Sequence, residues 1–140
     1  MTTAALTART FAAFVRGTPA PKGSKNAFVK NGRAFVTEGK GSKQWQSDVA
    51  RLLQDRWEGA PFEGAVEVTL TFMMLRPASV SAKKRPDMTV KPDIDKLARC
   101  ILDAMTSICF RDDAQVTRLI VTKQYDEESG VHVLVKEVGS

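Results

Sequence analysis

The chain has few of the residues that carry nucleophilic, redox or zinc chemistry. It holds one histidine, His132, and two cysteines, Cys100 and Cys109. A lone histidine in an expected strand leaves no Ser-His-Asp arrangement, and one histidine with two distant cysteines has no zinc-ligand spacing. The cysteines lie nine positions apart within or just past one expected helix, which does not suit a local disulfide and fits a reducing compartment. No apolar run approaches the length that crosses a bilayer. The opening "MTTAALTARTFAAFVRG" offers only a six-residue weakly apolar run, Phe11 to Arg16, too short for a signal-peptide core. The mature chain is therefore expected to begin here, in the cytoplasm. "GTPAPKGSK" lacks the G-x-x-x-x-G-K-[ST] order of a phosphate-binding loop. Internal repeats and low-complexity segments are absent from the sequence too.

What is present is an excess of base, unevenly spread. The formal charge is +5. Arg76, Lys83, Lys84, Arg85 and Lys91 share one loop with a single acid, Asp87, whereas the last fifteen residues carry more acids than bases. A charge run is ordinarily a solvated face, but a basic loop that feeds into an acidic cluster points to a polyanionic partner.

The 140 residues read as one domain over 1–140, long enough to bury a core. "TFAAFVRG" is an expected strand broken at Gly17, Pro19 and Pro21. "AFVKNGRAFVT" reads as a hairpin, with Asn31-Gly32 supplying the positive φ of a tight turn. Trp45, Val49, Leu52, Leu53 and Trp57 recur at helical spacing, with Ser42 as the expected N-cap and Gly59 and Pro61 as the stop. "VEVTLTFMML" alternates strictly and ends apolar on both faces, which predicts a central strand covered on both sides. A long Pro-, Ser- and Lys-rich loop follows from Arg76 to Pro92, and loops of that length are functional or mobile. After a second helix, "VTRLIVTKQY" and "VHVLVKEV" are strands joined by "DEESG". The sum is an α+β domain: a mixed, mostly antiparallel sheet with two main helices packed on it.

The second helix opens with two acids, in "KPDIDKLARCILDAM", and two more follow in "FRDDAQV". Asp93 alone reads as an N-cap, and Asp95 could pair with Arg99 one turn on. The functional reading is that both carboxylates bind a hard divalent cation such as Mg²⁺, with Asp112 or Asp113 adding a third ligand.

The pattern "PDIDKLARCILDAM", then "FRDDAQV", then a strand carrying a lysine resembles the RusA family of Holliday-junction resolvases. The resemblance is close from Lys91 to about Tyr125 and looser over "VRGTPAPKGSKN". It implies a Mg²⁺-dependent endonuclease, with Mn²⁺ as a possible substitute, acting as a homodimer on four-way junctions. The implied setting is a bacterial cell, with a phage-encoded origin left open. The products would carry a 5′-phosphate and a 3′-hydroxyl. The family's three metal-binding aspartates fall on Asp93, Asp95 and Asp113, and its essential lysine falls on Arg99. Lys96 stands where the family often has asparagine, and could share or take over the basic role. Arg99 keeps the charge but presents a planar fork. Asp103 reads as a structural residue near the helix end, and Asp112 as a turn residue or a partner to a ligand. Lys22, Lys25, Arg76, Lys83, Lys84, Arg85 and Lys91 are the expected contacts to the DNA backbone.

Helix length raises a difficulty. From Ile94 to about Ser107 the helix would run roughly 20 Å, which separates Asp93 and Asp95 from Asp113. Two such helices packed antiparallel about a two-fold axis would pair Asp93 and Asp95 of one chain with Asp113 of the other. The stripe Leu97, Ile101, Met105 and Ile108 could form that contact or could be ordinary core. Two readings compete with the resolvase: a non-catalytic DNA-binding module, and a metal-dependent nuclease for other branched DNA.

Overall fold

In a computed structural model of the protein, the described residues are 9–22, 25–38 and 41–138. The termini of the expected 1–140 domain and Gly23-Ser24 of the basic loop lie outside them, as do the side chains of 25–30 and 34–38 in the hairpin, Lys25 included.

Chain order is β1 (Thr10–Arg16), β2 (Lys25–Lys30), β3 (Arg33–Glu38), α1 (Ser42–Arg56), β4 (Val66–Met74), α2 (Ile94–Met105), a 3₁₀ turn (Asp113–Gln115), β5 (Val116–Tyr125) and β6 (Gly130–Glu137). β2 and β3 form a two-stranded hairpin, and Asn31 and Gly32 take positive φ of 54° and 75° as the tight turn requires. The other four strands make one sheet in the order β1-β6-β4-β5. β4 is antiparallel to β6 and parallel to β5. The chain is a single α+β domain with a mixed, mostly antiparallel sheet and two helices, as the periodicity implies. The polar turn after Tyr125 does not close a hairpin, because β4 lies between β5 and β6. A parallel pair needs a crossover of a dozen or more residues, and the long loop plus α2 provide it.

Alternation in β4 sets the layers. Val66, Val68, Leu70 and Phe72 are fully buried, and the last three register with Val135, Val133 and Val131 of β6. Both helices cover that face and pack on each other, α1 on the β1 side and α2 on the β5 side. Trp45, Val49 and Leu53 carry the contact from α1. The opposite face of β4 shows half-buried Glu67, Thr69 and Thr71, so cover on both sides is reached only at Met73. His132 lies on this outer face, its ring 4.6 Å from that of Phe14.

Two helix boundaries differ from the sequence reading. Gly41, at φ 88°, caps α1, and Ser42 is the buried first residue of the helix. α2 ends at Met105, two residues short of Ser107, with Thr106 extended and Ser107 at φ 75°. The stripe Leu97, Ile101 and Met105 is fully buried against the sheet and α1. It is core, contributing about 1.5–3 kcal/mol per side chain, and is closed to a second chain.

Candidate active site

Asp93 occupies the N-cap of α2 with extended backbone (φ −69°, ψ 138°), and its carbonyl accepts the Leu97 N–H at 3.1 Å. Its carboxylate makes no capping bond. That side chain is half exposed, and its nearest cation is Lys96 Nζ at 3.7 Å. Asp95 sits in the first turn, exposed, and the pair with Arg99 is not formed among the described residues. Asp93 has extended backbone just outside the helix and Asp95 lies within its first turn, so their side chains leave the chain in different directions. Accordingly Asp93 and Lys96 border a hollow of about 450 Å³ shared with Pro19, Pro21 and Lys91. Asp95 and Arg99 line a groove of about 590 Å³ between α2 and β5.

Asp113 lines the same groove. The crossover makes α2 antiparallel to β5, so the helix start lies beside the end of the strand, where Lys123 Nζ donates to Pro92 O at 2.8 Å. Asp113 precedes the start of the strand, beside the helix end. The twelve residues of α2 cover about 18 Å. Asp95 and Asp113 therefore mark opposite ends of the groove. Among the described residues no three His, Cys, Asp or Glu side chains gather as a metal-holding group.

The two acids of "FRDD" are distinguished by their bonds. Asp112 caps the 3₁₀ turn, its Oδ1 accepting the Ala114 N–H at 2.8 Å. The carboxylate of Asp113 takes no part in that cap. Gln115 completes the turn in all four directions its amide allows. Its Oε1 accepts the N–H groups of Arg111 and Asp112 at 2.8 and 3.0 Å. Its Nε2 donates to the carbonyls of Phe62 and Gly64, both at 2.8 Å.

Sequence comparison with known families adds a decisive observation: the family model described as endodeoxyribonuclease RusA matches residues 17–136. The chain belongs to the RusA family. The match extends well beyond the stretch from Lys91 to Tyr125, taking in the hairpin and α1. The chain is also similar to the uncharacterized protein YqaN of Bacillus subtilis (strain 168), 29% identical over 135 residues that cover 90% of this chain and 95% of that one. Membership of the RusA family makes the protein an endodeoxyribonuclease of a group that resolves Holliday junctions, and nucleases of the group are typically metal-dependent. No helix among the described residues is long and apolar enough to cross a membrane.

The donor set at the start of α2 suits such a metal. Asp93 and Asp95 offer hard oxygen ligands that no cap engages; they border different hollows, and Asp93 is paired with Lys96 at 3.7 Å. Both buried thiols are elsewhere, Cys100 on the covered face of α2 and Cys109 beyond its end.

The basic residues of this RusA-family chain divide into two groups. Lys22 Nζ is 2.9 Å from Asp103 Oδ2 and 3.0 Å from Gln46 Oε1, which joins α2 to α1. Arg76 stacks its guanidinium 4.3 Å from the Tyr125 ring centroid and donates to the Arg85 carbonyl. Arg85 Nη1 donates to Tyr125 Oη at 3.1 Å. These three are tied into the fold. Lys83, Lys84 and Lys91 are exposed. Three residues have structural roles that the sequence motif alone does not assign: Gln115, Lys123 and Tyr125. The signal for the latter two is their odd-numbered positions in β5, which place them on the helix-facing side at the strand end.

Proposed function

We propose that the protein is a Mg²⁺-dependent, homodimeric resolvase that cuts four-way DNA junctions by paired symmetric nicks, with Mn²⁺ able to substitute, as one endonuclease domain over 1–140 in the cytoplasm. The observation that carries this reading is the division of labour among the acids: Asp112 caps, whereas Asp93, Asp95 and Asp113 do not.

Asp93 and Asp95 would hold the metal at the start of α2. A bound divalent cation supplies activation of water and neutralisation of phosphate charge. The chain supplies the rest. The start of α2 has no side-chain cap, so its N–H groups and dipole favour an anionic phosphate there. Arg99 in the groove and Lys96 beside Asp93 add positive charge on either side of that phosphate. Lys83, Lys84 and Lys91, with Lys25, would contact the backbone of the DNA arms. Hydrolysis breaks the P–O3′ bond, leaving a 5′-phosphate and a 3′-hydroxyl that can be ligated.

The third aspartate would come from the partner. The groove between α2 and β5 is apolar along its length and ends in Asp95 and Asp113. Ile94 and Leu119 are 38% and 42% exposed on it. A second copy laid antiparallel on this groove would bring its Asp113 to the first copy's Asp95, giving two equivalent sites for two cuts. Mixing Asp95→Asn chains with Asp113→Asn chains tests the arrangement on a synthetic four-arm junction in Mg²⁺. Each variant alone should be inactive, and the mixture should regain nicking that EDTA abolishes. No recovery in the mixture would sink the shared site. Binding without nicking in the wild type would leave only a DNA-binding module, and equal cleavage of forks would widen the substrate class.

A further inference from the structure

The end of β5 holds both ends of the long loop that leads into α2. Lys123 and Tyr125 are two residues apart on the helix-facing side of the strand, in register with Phe72 and Met74 of β4. At the far end of the loop, Lys123 Nζ donates to Val90 O at 2.6 Å and to Pro92 O at 2.8 Å. The second of these carbonyls belongs to the residue just before Asp93. At the near end, the Tyr125 ring carries the Arg76 guanidinium and its hydroxyl accepts from Arg85. Arg76 in turn donates to the Arg85 carbonyl, and the Lys84 and Arg85 N–H groups bond to Ser81 O at 3.1 and 3.0 Å. The segment 81–85 is thus a closed turn with Lys83 and Lys84 exposed on it. Met88, which lies between the tethered stretches in sequence, is buried.

We propose that Lys123 and Tyr125 form a two-point clasp in which Lys123 is a positioning residue for the Asp93–Asp95 carboxylates and Tyr125 positions the Lys83–Lys84 turn for DNA. The inference rests on the metal and DNA roles proposed above. Its physical basis is the entropy of the loop. A segment of this length, left untethered, would have to be ordered when metal and DNA bind, and that cost would weaken both. An ammonium has three donors and can hold two carbonyls at once. Its positive charge strengthens both bonds. The two tethers are separate, so their losses should appear in different measurements.

Three full-length variants, Lys123→Met, Lys123→Arg and Tyr125→Phe, test this beside Asp93→Asn. The readouts are Mg²⁺ affinity by calorimetry, junction affinity in EDTA, and thermal stability. Lys123→Met should weaken Mg²⁺ binding about tenfold or more, as loss of a group that orients a ligand does, with junction affinity in EDTA unchanged. Lys123→Arg retains two or more donors and should restore most of the Mg²⁺ affinity, which a merely structural loss would not track. Tyr125→Phe keeps the ring but frees Arg85. It should weaken the junction complex and leave Mg²⁺ affinity as in the wild type. Should Lys123→Met unfold, the Lys123→Arg and Tyr125→Phe proteins still separate the two readouts. Wild-type Mg²⁺ affinity in Lys123→Met, with Asp93→Asn unable to bind, would overturn the clasp alone. Wild-type Mg²⁺ binding and cleavage in Asp93→Asn would overturn the metal site and the clasp with it.

Discussion

Lys22 and Asp103 form an ion pair of 2.9 Å in which both side chains are mostly shielded, at 33% and 26% exposure. The same amine reaches Gln46, and the Lys22 backbone N–H bonds the Lys96 carbonyl at 3.0 Å. Lys22, one of the expected phosphate contacts, thus ties the first loop to α1 and α2. Replacing it with methionine keeps the stem and removes the charge, leaving Asp103 without its cation. Lys22→Met should lower unfolding stability by about 1–2 kcal/mol in urea denaturation. The salt dependence of junction binding should stay as in the wild type.

Lys83 and Lys84 should behave in the opposite way. Both are exposed on a turn that is held from below by Arg76 and Tyr125. Each phosphate contact contributes about 0.9 to the slope of log K against log salt on duplex arms. The double variant Lys83→Ala/Lys84→Ala should flatten that slope by roughly 2 and weaken binding regardless of arm sequence, with the melting temperature unchanged.

Gln115 carries a third expectation. Its amide satisfies four backbone groups on two segments, so the conformation that presents Asp113 depends on it. Gln115→Leu strands two N–H groups and two carbonyls and should cost about 2 kcal/mol or more. Gln115→Glu retains the acceptor but sets a carboxylate oxygen against the Phe62 and Gly64 carbonyls. It should be destabilised as well, and less so at a pH low enough to protonate it.

These cases show why some features could be read from sequence and others not. Alternation in β4 and the apolar spacing in both helices are local patterns with one stable solution each, so the layers and the central strand follow from them. The buried stripe of α2 is equally plain, but periodicity says only that a face is covered, not what covers it. The sheet and α1 cover it, and Ile94 and Leu119 are among the apolar side chains left exposed. The acids were legible as a group because they are close in sequence. Their sorting was not, since it depends on which carboxylate a turn captures, and the Asp112 cap needs Gln115 bonded across to Phe62 and Gly64. The basic residues were the least legible. Lys22, Arg76 and Arg85 hydrogen-bond to partners 24, 9 and 40 positions away, separations in the chain that composition cannot register.

Glycine at 130 is demanded by close approach. A β-carbon there would lie 2.3 Å from the Val15 carbonyl oxygen, and φ is 157°. The obstacle is backbone in the neighbouring strand, so side-chain repacking cannot relieve it. Gly130→Ala should separate β1 from β6 locally and lower stability by about 2–4 kcal/mol, seen as a shift in the urea midpoint.

Cys109 gives a prediction in pH. The thiol is fully buried just past α2, and burial pushes its pKa up from 9.0 to about 12. The folded state thus holds a proton that the unfolded chain releases near 9. Its contribution to stability is complete below pH 9 and is lost as pH rises from 9 through 12. Within that window the slope is about 1.4 kcal/mol per pH unit. Cys109→Ala removes the group from both states, so urea unfolding of the variant should lack this component of the alkaline decline. The two proteins should then differ less at high pH than at neutral pH, where the alanine variant suffers only from lost packing. In the native wild type, a thiol reagent should modify Cys109 no faster than the protein opens. Rapid labelling under native conditions would show that the thiol is accessible and that the pH argument fails.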